Sequence, residues 1–336
     1  MSTMTKQAAG ETSLDLVPEA GLAEARTSPT VPPVILLAGP KATKRFFEFF
    51  AAHIRNPNTR RAYARAVGQF MSWVEERGLR LDQLEPIVVA AYVEQLGHER
   101  SAPTVKQHLA AIRMLFDYLV VGQVLPFNPA AAVRGPKHVV KKGKTPVLNE
   151  EEARQLLEAI DTSHVVGLRD RALIAVMTYS FARVGAVAKM RVKDYYSQGR
   201  RAWFILHEKG GKHHRVPAHH KAAEYVDAYL QAAGIAGEPK SPLFRSTRTK
   251  SRQLTERSMA ENDILRMVKR RARDAGLPAE VCCHTFRATG ITNYLENGGT
   301  LELAAQIAGH ESTRTTQLYD RTSDELRQEE IERVRI

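Results

Sequence analysis

The run His284-Thr285-Phe286-Arg287, followed by Gly309-His310 and, nine residues past that second histidine, by Tyr319, sets two imidazoles, a guanidinium and a phenol in order near the C-terminus. Working upstream, Arg183 lies in Tyr179-Ser180-Phe181-Ala182-Arg183-Val184-Gly185, and Lys209 in the turn Glu208-Lys209-Gly210-Gly211-Lys212. The series Arg, Lys, His-x-x-Arg, His, Tyr combines cations suited to an oxyanion, groups able to move a proton, and one nucleophile. A spacing of three at a helix start turns His284 and Arg287 the same way, where free backbone N–H groups add their own attraction for phosphate.

The composition points to a partner of dense negative charge. Across 336 residues, 49 Lys and Arg stand against 37 Asp and Glu, a net charge of +12. The first forty residues carry a balance of −2, so the remainder holds +14. The excess sits in the patterned part of the chain and fits a nucleic-acid binder. The only cysteines, Cys282 and Cys283, are adjacent and offer neither a disulfide framework nor a four-ligand metal site, which suits a reducing cytoplasm. There is no apolar run behind a basic N-terminal start and no stretch near the ~20 apolar residues that span a bilayer, so neither export nor insertion is expected.

Residues 1–40 are rich in Ala, Thr, Ser and Pro and read as a flexible arm, with a short apolar patch at Val34–Leu37. From 41 to 134 helical spacing takes over: a segment around Phe46, Phe47, Phe49 and Phe50, then a helix capped at Asn58-Thr59 and ending near Gly78. A third helix spans Pro86 to Leu96, and a fourth spans Ser101 to Val121 with Val105, Leu109, Ile112, Leu115, Phe116 and Leu119 on its buried stripe. The expectation is a small four-helix domain. Residues 135–147 break periodicity and gather Lys137, Lys141, Lys142 and Lys144, a basic linker that either lies along phosphate or is a solvated connector. A second domain, 148–325, opens on the cap Asn149 with three glutamates in the first turn. Its convincing β signal is the hairpin of Ala202–Leu206 and Arg215–Pro217, and helices are expected around 167–179, 222–233, 258–275, 285–296, 301–308, 313–321 and 324–334.

The ordered residue set resembles the tyrosine recombinases, the lambda-integrase and Xer-like family of phage-type integrases, over roughly residues 42–325. The resemblance implies a mainly α fold with a small antiparallel β-hairpin or sheet: an N-terminal four-helix, SAM-like core-binding domain and a C-terminal catalytic domain, clamped round DNA. It implies site-specific recombination of double-stranded DNA at paired inverted-repeat core sites, on mobile genetic elements among other settings. Two protomers act per site and four in the synapse, as a homotetramer or with a related recombinase, with strands exchanged sequentially through a Holliday junction. It further implies an accessory DNA-bending protein as a possible partner, a cytoplasmic, nucleoid-associated setting, and residues 326–336 as a subunit contact.

The residue types support that chemistry. A phosphodiester repels a nucleophile and gains charge in the transition state, and the planar forks of Arg183 and Arg287 suit that charge. Tyr319 would attack phosphorus and leave a 3′-phosphotyrosine and a free 5′-hydroxyl, a polarity carried over from the family. The bond energy is conserved, so no ATP is called for, and because the arginines replace a metal as charge sink, no metal cofactor is called for either. His284 is suited to accept the tyrosine proton and His310 to hydrogen-bond the phosphate, while Lys209, matching the family's hairpin lysine, would protonate the leaving oxygen, with Lys212 as the fallback. For DNA contacts, Lys106, Gln107 and Arg113 are expected exposed on the fourth helix, with Arg60, the linker lysines and Lys212 adding to them.

Two positions depart from the family pattern: Ala186 where an acid usually stands three after the first arginine, and Ala288 where a histidine usually follows the second. His213-His214 and His219-His220 straddle Val216-Pro217 with no matching cysteine or carboxylate cluster, and they read as a basic hairpin and a helix start rather than a metal site. The rival functions are a type IB-like topoisomerase or resolvase, and a DNA-binding regulator on this fold that no longer cuts.

Overall fold

The computed structural model describes residues 31–138, 143–208, 211–248 and 251–320. The chain divides into two compact units, Met1–Val139 and Val140–Ile336. In the first, helices α1 (Pro33–Leu37), α2 (Pro40–Glu48), α3 (Pro57–Glu75), α4 (Pro86–Glu99) and α5 (Ala102–Val121) enclose one apolar core. Four of these helices begin on proline, whose fixed φ suits a helix start and whose missing N–H would have had no partner there. Helix α2 runs on into a single π turn, Phe49–His53, which turns Phe49 and Phe50 into the core. Phe46 and Phe50 meet edge to face with ring centres 5.1 Å apart.

Three expectations for this unit are corrected. Val34 and Ile35 are buried in helix α1, so the arm cannot extend to residue 40, and residues 1–30 lie outside the described residues. The cap of α3 is Asn56, whose side chain accepts from the N–H groups of Asn58 and Thr59 at 2.9 and 3.2 Å. Pro57 is what moves it: with a proline at the first helical position the cap falls on the residue just before it, two upstream of Asn58. Arg113 is not an exposed groove reader. It is half-buried, and its guanidinium donates to the carbonyls of Ala130 (3.0 Å) and Val133, pinning the segment after α5 against that helix.

The second unit holds α6 (Glu150–Glu158), α7 (Val165–Tyr179), α8 (Val184–Ala188), strands β1 (Tyr195–Gln198), β2 (Arg201–His207) and β3 (His213–Pro217), and α9 (His220–Ala233). Strands β4 (Arg245–Thr247) and β5 (Leu254–Ser258) follow, then α10 (Glu261–Asp274), α11 (Cys283–Glu296), α12 (Leu301–Ile307) and α13 (Thr313–Gln317). Asn149 and Glu152 form the reciprocal cap of α6 at 2.8 and 2.9 Å, as the sequence reads. The sheet is antiparallel in the order β1-β2-β3, with Phe204 opposite both Tyr195 and Val216 and its ring in the core. Strand β1 and the β4–β5 hairpin are not in the sequence reading: Tyr195–Gln198 and Leu254–Ser258 are short and polar, and pairing rather than periodicity makes them strands. Because β5 takes Ser258, the helix expected from 258 begins at Glu261.

Helix α11 runs through the middle of this unit, with Thr285 to Thr292 buried without a break. It approaches the end of α7 so closely that a Cβ on Gly290 would lie 2.1 Å from the Thr178 carbonyl oxygen and 2.7 Å from the Phe181 ring. A second anchor is the fully buried Asp170, which accepts from Arg169 (2.6 Å) and Arg271 (2.8 Å), tying α7 to α10. Among the described residues no helix is long and apolar enough to cross a membrane. Replacing Gly290 by alanine would force α11 away from α7, and urea unfolding is expected to show a loss of about 1–3 kcal/mol.

Candidate active site

Arg287 lies on the buried helix α11, with 1% of its surface exposed. Its Nη1 donates to the Phe181 carbonyl, and its Nη2 donates to the Ala308 carbonyl (2.7 Å) and to His310 Nε2 (2.6 Å). Its Nε is buried without a protein partner. Each of these acceptors is delivered by an unusual piece of backbone. Phe181 has φ +52°, a left-handed conformation that costs a non-glycine residue on the order of 1 kcal/mol or more. It is held by its buried ring, which meets Tyr294 edge to face at 6.0 Å. Gly309, at φ +60°, ends α12 in the left-handed turn that favours glycine, and the His310 N–H closes back on Ala305 at 2.9 Å. The Gly309-His310 pair is thus a helix stop that turns the imidazole toward Arg287.

Tyr319 follows α13 and is 8% exposed. Its hydroxyl lies 2.7 Å from His284 Nε2, and its ring stacks on His310 with centres 6.1 Å apart. Two backbone contacts hold the segment: the Tyr319 carbonyl accepts from Thr292 Oγ1 at 2.9 Å, and the Leu318 carbonyl accepts from the Gly143 N–H at 2.9 Å. Arg183 caps α8 with extended backbone, and its exposed side chain meets the Glu208 carboxylate at 2.7 Å. The structure therefore brings together Arg183, His284, Arg287, His310 and Tyr319. Lys209 lies outside the described residues, as do Lys141 and Lys142.

The charges define what the site can do. Burial, and then the nearby Arg183 charge, lower the Arg287 pKa to about 10, which leaves it cationic at neutral pH. Burial and then Arg287, Arg183 and His284 push His310 down to about 4. His284 is lowered by desolvation and by the same two arginines. Both imidazoles are therefore neutral at physiological pH, able to accept a proton beside two fixed cations. Lys212 is exposed, and its 2.7 Å contact with the Glu311 carboxylate raises its pKa.

Other expected residues fall into place individually. Lys106, Gln107, Lys137 and Lys144 are exposed, whereas Arg60 is half-buried and donates from Nε to the Ile54 carbonyl at 3.0 Å. Among the described residues no group of three or more His, Cys, Asp or Glu is placed to hold a metal. His214 contacts the Ile307 carbonyl at 2.9 Å, and His219 caps α9 while stacking on Tyr179 at 4.1 Å. Ala288 is buried in a small cluster with Phe181 and Tyr319, and Ala186 is buried in the main core. The sequence reading did not find Glu208, Thr292 or Thr316, because nothing in their spacing signals contacts that only the packed chain makes.

Residues 146–325 match the phage integrase family, and residues 44–122 match the N-terminal SAM-like domain of phage integrases. The chain belongs to the phage integrase family; it is a tyrosine recombinase, a DNA breaking-and-rejoining enzyme. It is similar to the tyrosine recombinase XerC of Pelobacter propionicus, 29% identical over 272 residues that cover 80% of this chain and 86% of that one. It is similar also to the tyrosine recombinase XerD of Listeria monocytogenes serotype 4b, 26% identical over 269 residues covering 78% and 87%. Among solved structures, the fold matches XerH site-specific recombinase bound to difH substrate with a TM-score of 0.64 at 18% identity, covering 91% of this chain and 96% of that one. It matches a lambda integrase tetramer bound to a Holliday junction with a TM-score of 0.63 at 17% identity, covering 95% and 92%.

The depressed histidine has a consequence for stability. His310 titrates near 6.5 when unfolded and about 4 when folded, so between those values the unfolded chain binds more protons. Its contribution is complete above about pH 6.5 and is lost as the pH falls toward 4. Urea midpoints followed from pH 7 to 4 are expected to fall less steeply for His310→Gln than for the wild type.

Proposed function

We propose that Tyr319 is the nucleophile that joins this chain to DNA, and that the other converging residues serve its attack on one phosphodiester. The observation that carries the reading is the Tyr319 hydroxyl 2.7 Å from a neutral imidazole, beside a buried guanidinium with an unpartnered Nε. In the step, the Tyr319 oxygen bonds to phosphorus as the bond to the 5′-oxygen breaks, leaving a 3′-phosphotyrosine and a 5′-hydroxyl. The phenolic proton passes to His284 Nε2, and Lys209 delivers a proton to the departing 5′-oxygen. Arg183 and Arg287 bind the non-bridging oxygens, where fixed donors contribute most because they need no reorganisation as charge develops. Glu208 holds Arg183 in the free protein and yields it to the phosphate. Rejoining is the same step reversed, with another 5′-hydroxyl as the attacking group.

On this reading the reaction is site-specific and takes place at the nucleoid on paired inverted-repeat core sites. Two protomers occupy a site and four assemble in the synapse, exchanging strands in turn through a Holliday junction. The exposed Lys106 and Gln107 on α5 and the basic run around Lys137 and Lys144 are the DNA contacts of the first unit and the linker.

The test uses nicked duplexes built from DNA flanking the protein's own gene, incubated in EDTA and resolved on denaturing gels, with binding measured in parallel. The wild type is expected to form a covalent adduct and Tyr319→Phe none, while Arg287→Lys slows adduct formation by about 10²- to 10³-fold. Tight binding with no adduct would instead identify a DNA-binding regulator that does not cut.

A further inference from the structure

Thr316 has no place in the chemistry above, yet it is fully buried and touches the site twice. Its Oγ1 lies 2.8 Å from His310 Nδ1, and its carbonyl accepts the N–H of Tyr319 at 2.9 Å. The proton on His310 can be assigned from its partners. A guanidinium only donates, so His310 Nε2, 2.6 Å from Arg287 Nη2, must present a lone pair. A neutral imidazole carries one proton, which is therefore on Nδ1 and is donated to Thr316. The opposite tautomer would set an N–H against the N–H of Arg287 and leave Nδ1 facing the threonine hydroxyl as an acceptor. The groups around the ring are Arg287 on α11, Arg183, His284 and the stacked Tyr319 ring.

We infer that Thr316 is a positioning residue: its hydroxyl accepts the Nδ1–H of the tautomer that Arg287 sets on His310, so that the ring is held with Nε2 on the Arg287 fork, and it ties that orientation to the nucleophile three residues on. The inference rests on the reading of Tyr319 and Arg287 given above. One turn of α13 then sets both halves of the site. A movement that withdraws Tyr319 also takes away the acceptor that fixes His310, so nucleophile and clamp engage together or not at all.

The experiment compares wild type with Thr316→Val, which keeps the shape and loses the acceptor, and Thr316→Ser, which keeps the hydroxyl. Three quantities are read: single-turnover adduct formation on the nicked duplex at saturating protein, the Kd for the same duplex, and, from long-range ¹H–¹⁵N NMR of the imidazole in the free protein, the tautomer of His310 with the exchange rate of its ring proton. Thr316→Val is expected to cleave about 10²-fold more slowly with Kd unchanged within about twofold, and to keep the Nδ1–H tautomer while its ring proton loses protection from exchange, as when other orienting partners of a functional histidine are removed. Thr316→Ser is expected to restore the rate and the protection of the ring proton. Wild-type cleavage rates in the valine variant, or a slow serine variant, would overturn the inference. If the valine variant does not fold, the spectrum of the wild type still decides, because a His310 protonated on Nε2 contradicts the assignment. Absence of adduct from the wild type would instead remove the Tyr319 reading, on which the inference depends, while the NMR would still judge the His310 geometry by itself.

Discussion

The burial of the Arg287 guanidinium is the constraint around which the second unit is arranged. A charge removed from water costs several kcal/mol unless its donors find partners, and here the partners come from three separate places: the turn after α7, the end of α12, and His310. Each place carries a local concession that makes sense only as service to that group. Phe181 takes a left-handed φ, Gly309 reverses the chain after a short helix, and Gly290 lets α11 touch α7. The one donor left over, Nε, is the kind of unsatisfied buried group that a bound oxyanion would satisfy.

Around that fixed point the remaining groups have partners of their own. Arg183 is exposed and engages the Glu208 carboxylate just past the end of β2. The Tyr319 segment is tied through backbone carbonyls to Thr292 and to Gly143, so Gly143 touches the chain one position from Tyr319. A Cβ at position 143 would lie 2.6 Å from the Leu318 oxygen, which is why a glycine stands at that close approach. The neutral histidines follow first from desolvation and then from the two neighbouring guanidiniums, which disfavour a third positive charge.

Much of this was legible in the residues. Helix spacing in 86–121 gave α4 and α5 with their buried stripe, because apolar residues at steps of three and four have only one face to hide. The Asn149 cap was legible because capping is local chemistry. The polar strands β4 and β5 were not, since their pairing partner is what defines them, and the true cap of α3 was obscured by a proline. Arg113 illustrates the limit for surface assignments: its position on the helix suggested exposure, but the chain returning after α5 brings two carbonyls over it.

The sequence by itself determined the cast of the site: Arg183, His284, Arg287, His310 and Tyr319 stand in an order and spacing that mark them, because the chemistry demands those residue types. Tertiary structure alone decided how they are held, with Glu208 on Arg183, Thr292 on the Tyr319 backbone, and Thr316 on His310. The reason is physical. A reactive group is constrained by what it must do and so is readable as a type, whereas its supports need only an oxygen or a nitrogen at the right distance. Many positions in the chain could supply one, and the folded packing selects among them.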